Sequence, residues 1–522
     1  MNAPLPPPGD AAAPADTAPL DVLIVGAGLS GIGAACHLRR DCPGLRLALL
    51  EGRERSGGTW DLFRYPGIRS DSDMHTLGYD FRPWREAQAI ADGPAILRYL
   101  RATAREEAIE GLIHYRQQVR SADWDSTAQC WTLQVEDAAS GEARCWRARF
   151  LLLCAGYYRY DRGHQPAFPG REDFRGQFLH PQFWPGDLDY RGRRVVVIGS
   201  GATAMTLVPA MAAEAAEVVM LQRSPTYVIS RPARDRLANA LRALLPERWA
   251  YRITRWKNTQ LQHWLYRRTR RAPQKVRRLL LSRVRRELGE AAMADFTPRY
   301  DPWDQRLCLV PDGDLFAALR SGRARVVTAE IDRLTAGGIR LQGGEELAAD
   351  IIVSATGLEL EVMGGIRFRV DGEPFDFPGS WSYRGMMCSG LPNLVSVFGY
   401  INASWTLRAD LVARWCTRLL AHMRAHGYGA VTPTLRQGDA DMQPRPWIDN
   451  FSAGYMQRVM HRFPRQGDRA PWINSQDYFR ERAEFAADRF DDGALRFTAD
   501  ADADADAGAD AGAGAGAAAR PP

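Results

Sequence analysis

The apolar positions along the chain fall twice into the same pattern: a short unbroken hydrophobic run, a glycine-rich turn, then a stretch with helical spacing. The first copy is Leu20 to Val25, followed by Gly26-Ala-Gly28-Leu-Ser30-Gly31 and a helix ending near Arg40. The second is Arg193 to Ile198, followed by Gly199-Ser200-Gly201-Ala202-Thr203-Ala204-Met205 and a helix through about Ala213. A continuous run of β-branched residues is what a parallel strand buried on both faces requires; a half-exposed strand would alternate. Each copy leads into a further strand, Leu45 to Leu50 and Val218 to Leu221. Two more apolar runs, LLLCAG (151–156) and ADIIVSATG (349–357), read as buried strands that end in small residues. The pattern predicts an α/β fold with two dinucleotide-binding, Rossmann-like domains. The second is inserted into the first and carries a helical insertion of its own.

The spacing places the first domain at 20–155 and 356–497, and the second at 156–355 with its helical insertion at about 232–300. In each turn, glycines permit the tight bend, the close approach of a pyrophosphate and the packing of helix on strand. The helix that follows points free N–H groups at the phosphates. The strand after the first turn ends at Glu51, whose carboxylate suits ribose hydroxyls. The strand after the second ends in Gln222-Arg223-Ser224, with no acid. There a guanidinium and a hydroxyl suit a 2′-phosphate. FAD at the first turn and NADPH at the second is the pairing these ends favour.

Composition narrows the picture. Hydrophobic residues make up 45% and charged residues 25%, ordinary for a globular chain, and the net charge of +6 is mild. Lysine occurs only at 257 and 275, so the positive charge is almost all arginine. No aromatic-basic module points to nucleic acid. The eight cysteines include no C-x-x-C pair, which excludes both metal spacing and a redox dithiol, and fits a reducing cytoplasm. A flavin reduced by NADPH without a dithiol must pass its electrons elsewhere, and oxygen is the obvious acceptor. The first 19 residues lack the form of a signal peptide and read as a disordered lead. From residue 498 to 522 the chain is Ala/Asp/Gly low complexity, and no fold is assigned to it. No apolar run is long enough to span a membrane. Residues 252–286, dense in arginine with Trp256, Trp264 and Leu279 interleaved, read either as a solvated helical insertion or as a peripheral anchor to the anionic inner face of a membrane.

Residues 174–185 read FRGQFLHPQFWP, that is F-x-G-x3-H-x3-W-P. A second stretch reads Gly57-Gly58-Thr59-Trp60, then Tyr65-Pro66-Gly67 and Asp71. Both resemble the fingerprints of the class B flavin monooxygenases in their Baeyer–Villiger form, with Trp184-Pro185 marking that branch. From about Leu20 to Phe497, through GGTWDLFRYPGIRSDSDM, VVIGSGATA, LQRSPTY, DPWDQRLCLVP and NASWTL, the chain is further similar to the ethionamide-activating branch of those FAD enzymes.

The resemblance implies NADPH- and O2-dependent conversion of ketones to esters or lactones through a C4a-peroxyflavin, with thioethers or thioamides as further substrates. It implies FAD contacts from Gly26, Gly28, Ser30, Gly31, Glu51, Thr59, Trp60, Asp61, Leu62, Asp71 and the backbone near Val119. NADPH contacts would come from Arg69, Ser70, Asp71, Gly199 to Met205, Arg223 and Ser224. Arg306, in WDQRLC, would lie over the flavin, oriented by Asp71. A guanidinium there suits an anionic oxygen because it cannot surrender its proton.

Bland readings stand beside each of these. Arg306 could pair with Asp304 at the surface, His180 could be a packed loop histidine, and Trp405 could fill a core or line a pocket. Two other functions compete: an N- or S-oxygenating flavin monooxygenase, and a membrane-associated flavoprotein that oxidises NADPH and serves a binding role.

Overall fold

The computed structural model describes residues 18–449 and 451–501. The expected low-complexity lead and tail lie outside these residues, save for their inner ends. Two parallel sheets organise the fold. In the first, strand Leu20–Val25 lies between Leu47–Leu50 and the long strand Ala143–Leu153, parallel to both. An antiparallel meander, Gln117–Asp125 and Cys130–Asp137, extends this sheet. Strands Arg367–Val370 and Leu394–Ser396, from the far end of the chain, join the same sheet.

The second sheet is wholly parallel, in the order 324–328, 217–222, 194–198, 351–354 and 177–179. Its central strands are buried along nearly their whole length, which is why their sequence does not alternate. The chain leaves the first sheet after Leu153 and returns to it at Arg367. An antiparallel ribbon joins the two sheets, Tyr158–Gly163 against Leu358–Leu360. The insertion of one dinucleotide fold into the other is thus carried by two crossings placed side by side.

Helix Leu29–Asp41 packs on the first sheet and against helix Trp405–Ala425. Between strands Val228–Arg231 and Cys308–Pro311 rise three helices, Arg236–Leu244, Glu247–Arg271 and Pro273–Leu288, within the span expected for the insertion. Among the described residues no helix is long and apolar enough to cross a membrane.

One expected boundary is corrected. Composition places the start of the tail at residue 498, but strand Leu495–Ala499 pairs through Thr498 and Ala499 with Tyr428–Pro433. The Asp500 N–H then bonds the Gly427 carbonyl, and the Ala501 N–H bonds the Gln129 side chain. Pairing supplies the backbone partners that the alanine–aspartate composition does not advertise.

Candidate active site

Each glycine turn is shaped by the strand beside it. Gly26 adopts φ +102°, and a Cβ there would lie 2.5 Å from the Cys154 carbonyl oxygen. Gly199 adopts φ +132°, and its Cβ would lie 2.4 Å from the Ala355 carbonyl oxygen. The small residues that end LLLCAG and IIVSATG are therefore the walls against which the two turns close. Gly28 and Gly201 N-cap the following helices, and neither helix has a side-chain cap or an acidic residue in its first turn. Helices starting after Asp73, Asp92, Asp235 and Asp477 do have side-chain caps. The two glycine-turn helices thus keep their N–H groups for an anion, which fits a pyrophosphate at each.

Glu51 is 5% exposed. Its carboxylate accepts from the Ala27 N–H (2.9 Å) and the Arg53 N–H (3.1 Å), each using one oxygen. Burial raises its pKa, and the two N–H groups counter that in part. Each oxygen retains a lone pair for a ribose hydroxyl. Val119 is buried in the strand whose first residue, Gln117, bonds the Glu51 carbonyl. At the other turn Arg223 is exposed, with no ion pair or hydrogen bond among the described residues, and the Ser224 carbonyl accepts from the Ser200 hydroxyl (3.0 Å). Ala204 and Met205 are buried and hold their helix to the sheet.

The segment 57–71 stitches the two folds together. Gly58 lies against Gly28, where a Cβ would come within 3.0 Å of its Cα. Asp61, 3% exposed at its side chain, sits among Arg53 and Arg101 (both 2.8 Å), Arg55 and Arg64. It organises the Thr59–Leu62 turn rather than facing outward with a free carboxylate. Gly67 abuts the helix of the second domain, its Cβ position 2.9 Å from the Thr206 carbonyl oxygen. Ser70 is buried and shares hydrogen bonds with Ala91, and Arg69 pairs with Asp314, so both side chains hold this segment in place.

Asp71, at the end of the segment, meets Arg306: Nη1 donates to Oδ2 at 2.7 Å across 235 residues of sequence. The alternative pairing with Asp304 is not what forms: its carboxylate is engaged by Arg270 (2.7 Å), while the Arg306–Asp71 pair is partly open to solvent, the side chains 33% and 53% exposed. The Nε of Arg306 is buried and has no hydrogen-bond partner among the described residues. Partial burial works to lower the arginine pKa, but the Asp71 carboxylate beside it works the other way, and the net direction is upward. Arg306 thus stays charged at any working pH.

The tyrosines around Arg306 are not among the residues the sequence motifs single out. The run YYRY after LLLCAG was the available signal for Tyr157 and Tyr158; Tyr455 had none. Tyr157 and Tyr158 share a hydrogen bond (2.6 Å), and Tyr157 stacks on Trp405 at 5.0 Å. The Trp405 indole in turn donates to the Ser30 hydroxyl (2.8 Å). Trp405 therefore joins the first glycine turn to the tyrosine pair instead of filling a closed core. Phe398, Trp447, Phe451, Met456 and Phe463 form an apolar wall behind these rings.

In FRGQFLHPQFWP, Gly176, His180 and the intervening Gln182 have visible structural tasks. A Cβ on Gly176 would lie 2.4 Å from the Asp350 carbonyl oxygen. The His180 Nδ1 accepts from the Gln182 N–H (3.2 Å), leaving its proton on Nε2 for the Gly357 carbonyl (3.1 Å). Burial lowers the His180 pKa, consistent with that neutral tautomer. Gln182 bonds the carbonyls of Arg159 and Tyr160 (2.8 and 3.1 Å). The motif fastens the edge of the second sheet to one strand of the linking ribbon and to Gly357, the residue just before the other.

Residues 24–92 match an NAD(P)-binding Rossmann-like domain, and residues 84–286 match a flavin-binding monooxygenase-like family. The chain is 49% identical over 481 residues to the FAD-containing monooxygenase EthA of Mycobacterium tuberculosis, covering 92% of this chain and 97% of that protein. It is 47% identical over 486 residues to "Probable FAD-binding monooxygenase AlmA" of Acinetobacter baylyi, again 92% and 97% of the two chains. Among solved structures it resembles an oxidised steroid monooxygenase bound to NADP, with TM-score 0.74, 22% identity and 92% and 100% of the chains covered. It also resembles cyclohexanone monooxygenase from Rhodococcus sp. Phi1 bound to NADP+, with TM-score 0.70, 19% identity and the same coverage. At those identities the two structures establish the fold alone. The near full-length identity to the sequence relatives establishes more: this chain belongs to the FAD-containing monooxygenases.

Proposed function

We propose that the chain is an NADPH- and O2-dependent Baeyer–Villiger monooxygenase that converts apolar ketones to esters or lactones. The observation that carries this reading is the Arg306–Asp71 pair at the junction of the two glycine-turn folds, with an unused Nε–H and an apolar wall beside it. The balance is one ketone, one O2, one NADPH and one proton giving one ester, one water and NADP+.

FAD at the first turn would be held by the N–H groups after Gly28 and by Glu51, with Thr59 to Leu62 and the backbone near Val119 alongside. NADPH at the second would be held by the N–H groups after Gly201 and by Arg223 and Ser224. Reduced flavin supplies the activated oxygen of this chemistry. Arg306 stabilises negative charge on oxygen during carbonyl attack and, with its raised pKa, does not donate its own proton to it. Asp71 orients that guanidinium. The tyrosines and the apolar cluster of Trp447, Phe451, Met456 and Phe463 would help to keep water from the site.

The test is the purified holoenzyme with NADPH, isotopically labelled O2 and a panel of ketones and sulfides. One labelled oxygen per ester and one NADPH per product are expected. Hydrogen peroxide with every ketone, or oxygen transferred only to sulfur, would overturn the reading.

The exposed Arg223 gives a second measurement. Arg223→Ala removes a charge-assisted contact and is expected to lower kcat/KM for NADPH roughly 10- to 100-fold. The value for NADH should change little, since NADH has no 2′-phosphate. An equal loss with both cofactors would assign Arg223 a structural role instead.

A further inference from the structure

The long insertion helix, Glu247–Arg271, is built inside out. A globular helix normally turns its apolar stripe to the core and its polar residues to water. Here the core-facing side is mostly polar. The Tyr251 hydroxyl bonds the Tyr79 carbonyl (2.7 Å). Arg255 donates to the carbonyls of His75 and Gly78 (2.9 and 2.8 Å). Asn258 and Gln262 donate to the two oxygens of Asp73 (both 2.9 Å). The opposite side carries the bulk: Trp249, Trp256 and Trp264 are 57%, 61% and 59% exposed, with Ile253, Leu261 and Leu265 also outside. At about 100° per residue, Trp249, Ile253, Trp256 and Trp264 lie within an arc of about 80°. Leu237, Leu244 and Leu245, on and after the preceding helix, add to the exposed apolar surface, Leu244 being 80% exposed.

The charge on this helix has one sign. It holds seven arginines and one lysine against a single glutamate, and Glu247 is already paired with Arg85. Arg248, Arg252, Arg267, Arg268 and Arg271 are exposed and make no ion pair among the described residues. Helical spacing puts Arg252, Arg267 and Arg271 on the tryptophan side.

We propose that this face docks on a bilayer surface containing anionic lipid. Indole rings favour the headgroup boundary, where an apolar body and a polar N–H are both satisfied. Unpaired arginines supply attraction to anionic headgroups. A second copy of the chain fits less well, because a two-fold contact through this face would set its unpaired arginines against one another. The helix lies on the surface, consistent with the absence of any described helix able to cross. The proposal does not depend on the reaction chemistry, since its readout is binding.

The test is co-sedimentation of the FAD-loaded enzyme with phosphatidylcholine vesicles and with vesicles in which part of that lipid is replaced by phosphatidylglycerol. Binding only to the second set is expected, with a blue shift of tryptophan emission and release by high salt. The triple variant Trp249→Ala, Trp256→Ala and Trp264→Ala should partition roughly tenfold less or worse. Its flavin content and NADPH oxidation should be unchanged, because these side chains already face outward. Three results would overturn the proposal. They are equal behaviour with both vesicle sets, vesicle binding that the triple variant retains, and a wild-type dimer in solution that the triple variant converts to monomer.

Discussion

Arg306→Ala is expected to lower ketone-dependent ester formation by about 10²- to 10³-fold, the range for removing one donor aimed at developing negative charge on oxygen. Reduction of the bound flavin by NADPH, followed without oxygen, should survive, because hydride transfer needs no anion stabilised at that position. The variant should therefore still consume NADPH in air but release hydrogen peroxide instead of ester. Arg306→Lys should recover little: an ammonium is a point charge with no planar fork to hold both Asp71 and a developing oxyanion. Asp71→Asn tests the positioning role separately. It leaves the guanidinium in place but loosens the 2.7 Å contact that aims it, so turnover should fall less than in Arg306→Ala, with KM for the ketone moving little. Stopped-flow reduction and product analysis on the same preparations check all three. Full ester yield from Arg306→Ala would remove this residue from the chemistry.

The second large effect is on folding. Arg408 and Glu481 form a buried ion pair at 2.8 Å, with side chains 0% and 3% exposed. Every arm of the guanidinium is used: Nη1 donates to the Phe398 carbonyl (2.9 Å) and Nη2 to the Arg384 carbonyl (2.9 Å). Glu481 also accepts from the hydroxyls of Tyr400 (2.7 Å) and Ser475 (2.9 Å). Arg408→Ala leaves a carboxylate buried without its counter-charge and should cost about 3–5 kcal/mol. The pair grips the loop between Phe398 and Trp405, which touches the first glycine turn through Ser30. The temperature at which flavin is released should therefore fall together with the unfolding temperature. The double variant Arg408→Met/Glu481→Leu removes both charges and should regain much of the loss. A single variant as stable as the parent chain would show that the pair is not desolvated as its burial implies.

The two glycine turns, the strands that feed them and the placing of Glu51 and Arg223 just past strand ends are legible because each depends on residues close in sequence. A strand end, a bend and a helix start are local events, and φ above zero at Gly26 and Gly199 is written in the residue type. The motif FRGQFLHPQFWP was legible as a pattern but not as a device. Its histidine acts through the Gly357 carbonyl, 177 residues away. Tyr455 carried no sequence signal, because its place beside Arg306 depends on how the 447–463 segment folds back.

What only the tertiary structure decided is the choice of partners. Spacing alone makes Asp304, two residues away, the natural mate for Arg306; the family resemblance names Asp71 instead, but nothing local in the sequence brings the two together. In the folded chain Arg270 takes Asp304, Ser452 takes the carbonyl beside it, and Arg306 is left for Asp71. The same holds for the insertion helix. Its composition advertised a basic amphipathic helix, but which side faced the core depended on Asp73 and on the carbonyls of His75, Gly78 and Tyr79. Those groups must be hydrogen-bonded once buried, so they drew the polar side inward and left the tryptophans outside. Local spacing sets the elements; the requirement that every buried charge and polar group find a partner sets how they are turned and which residues meet.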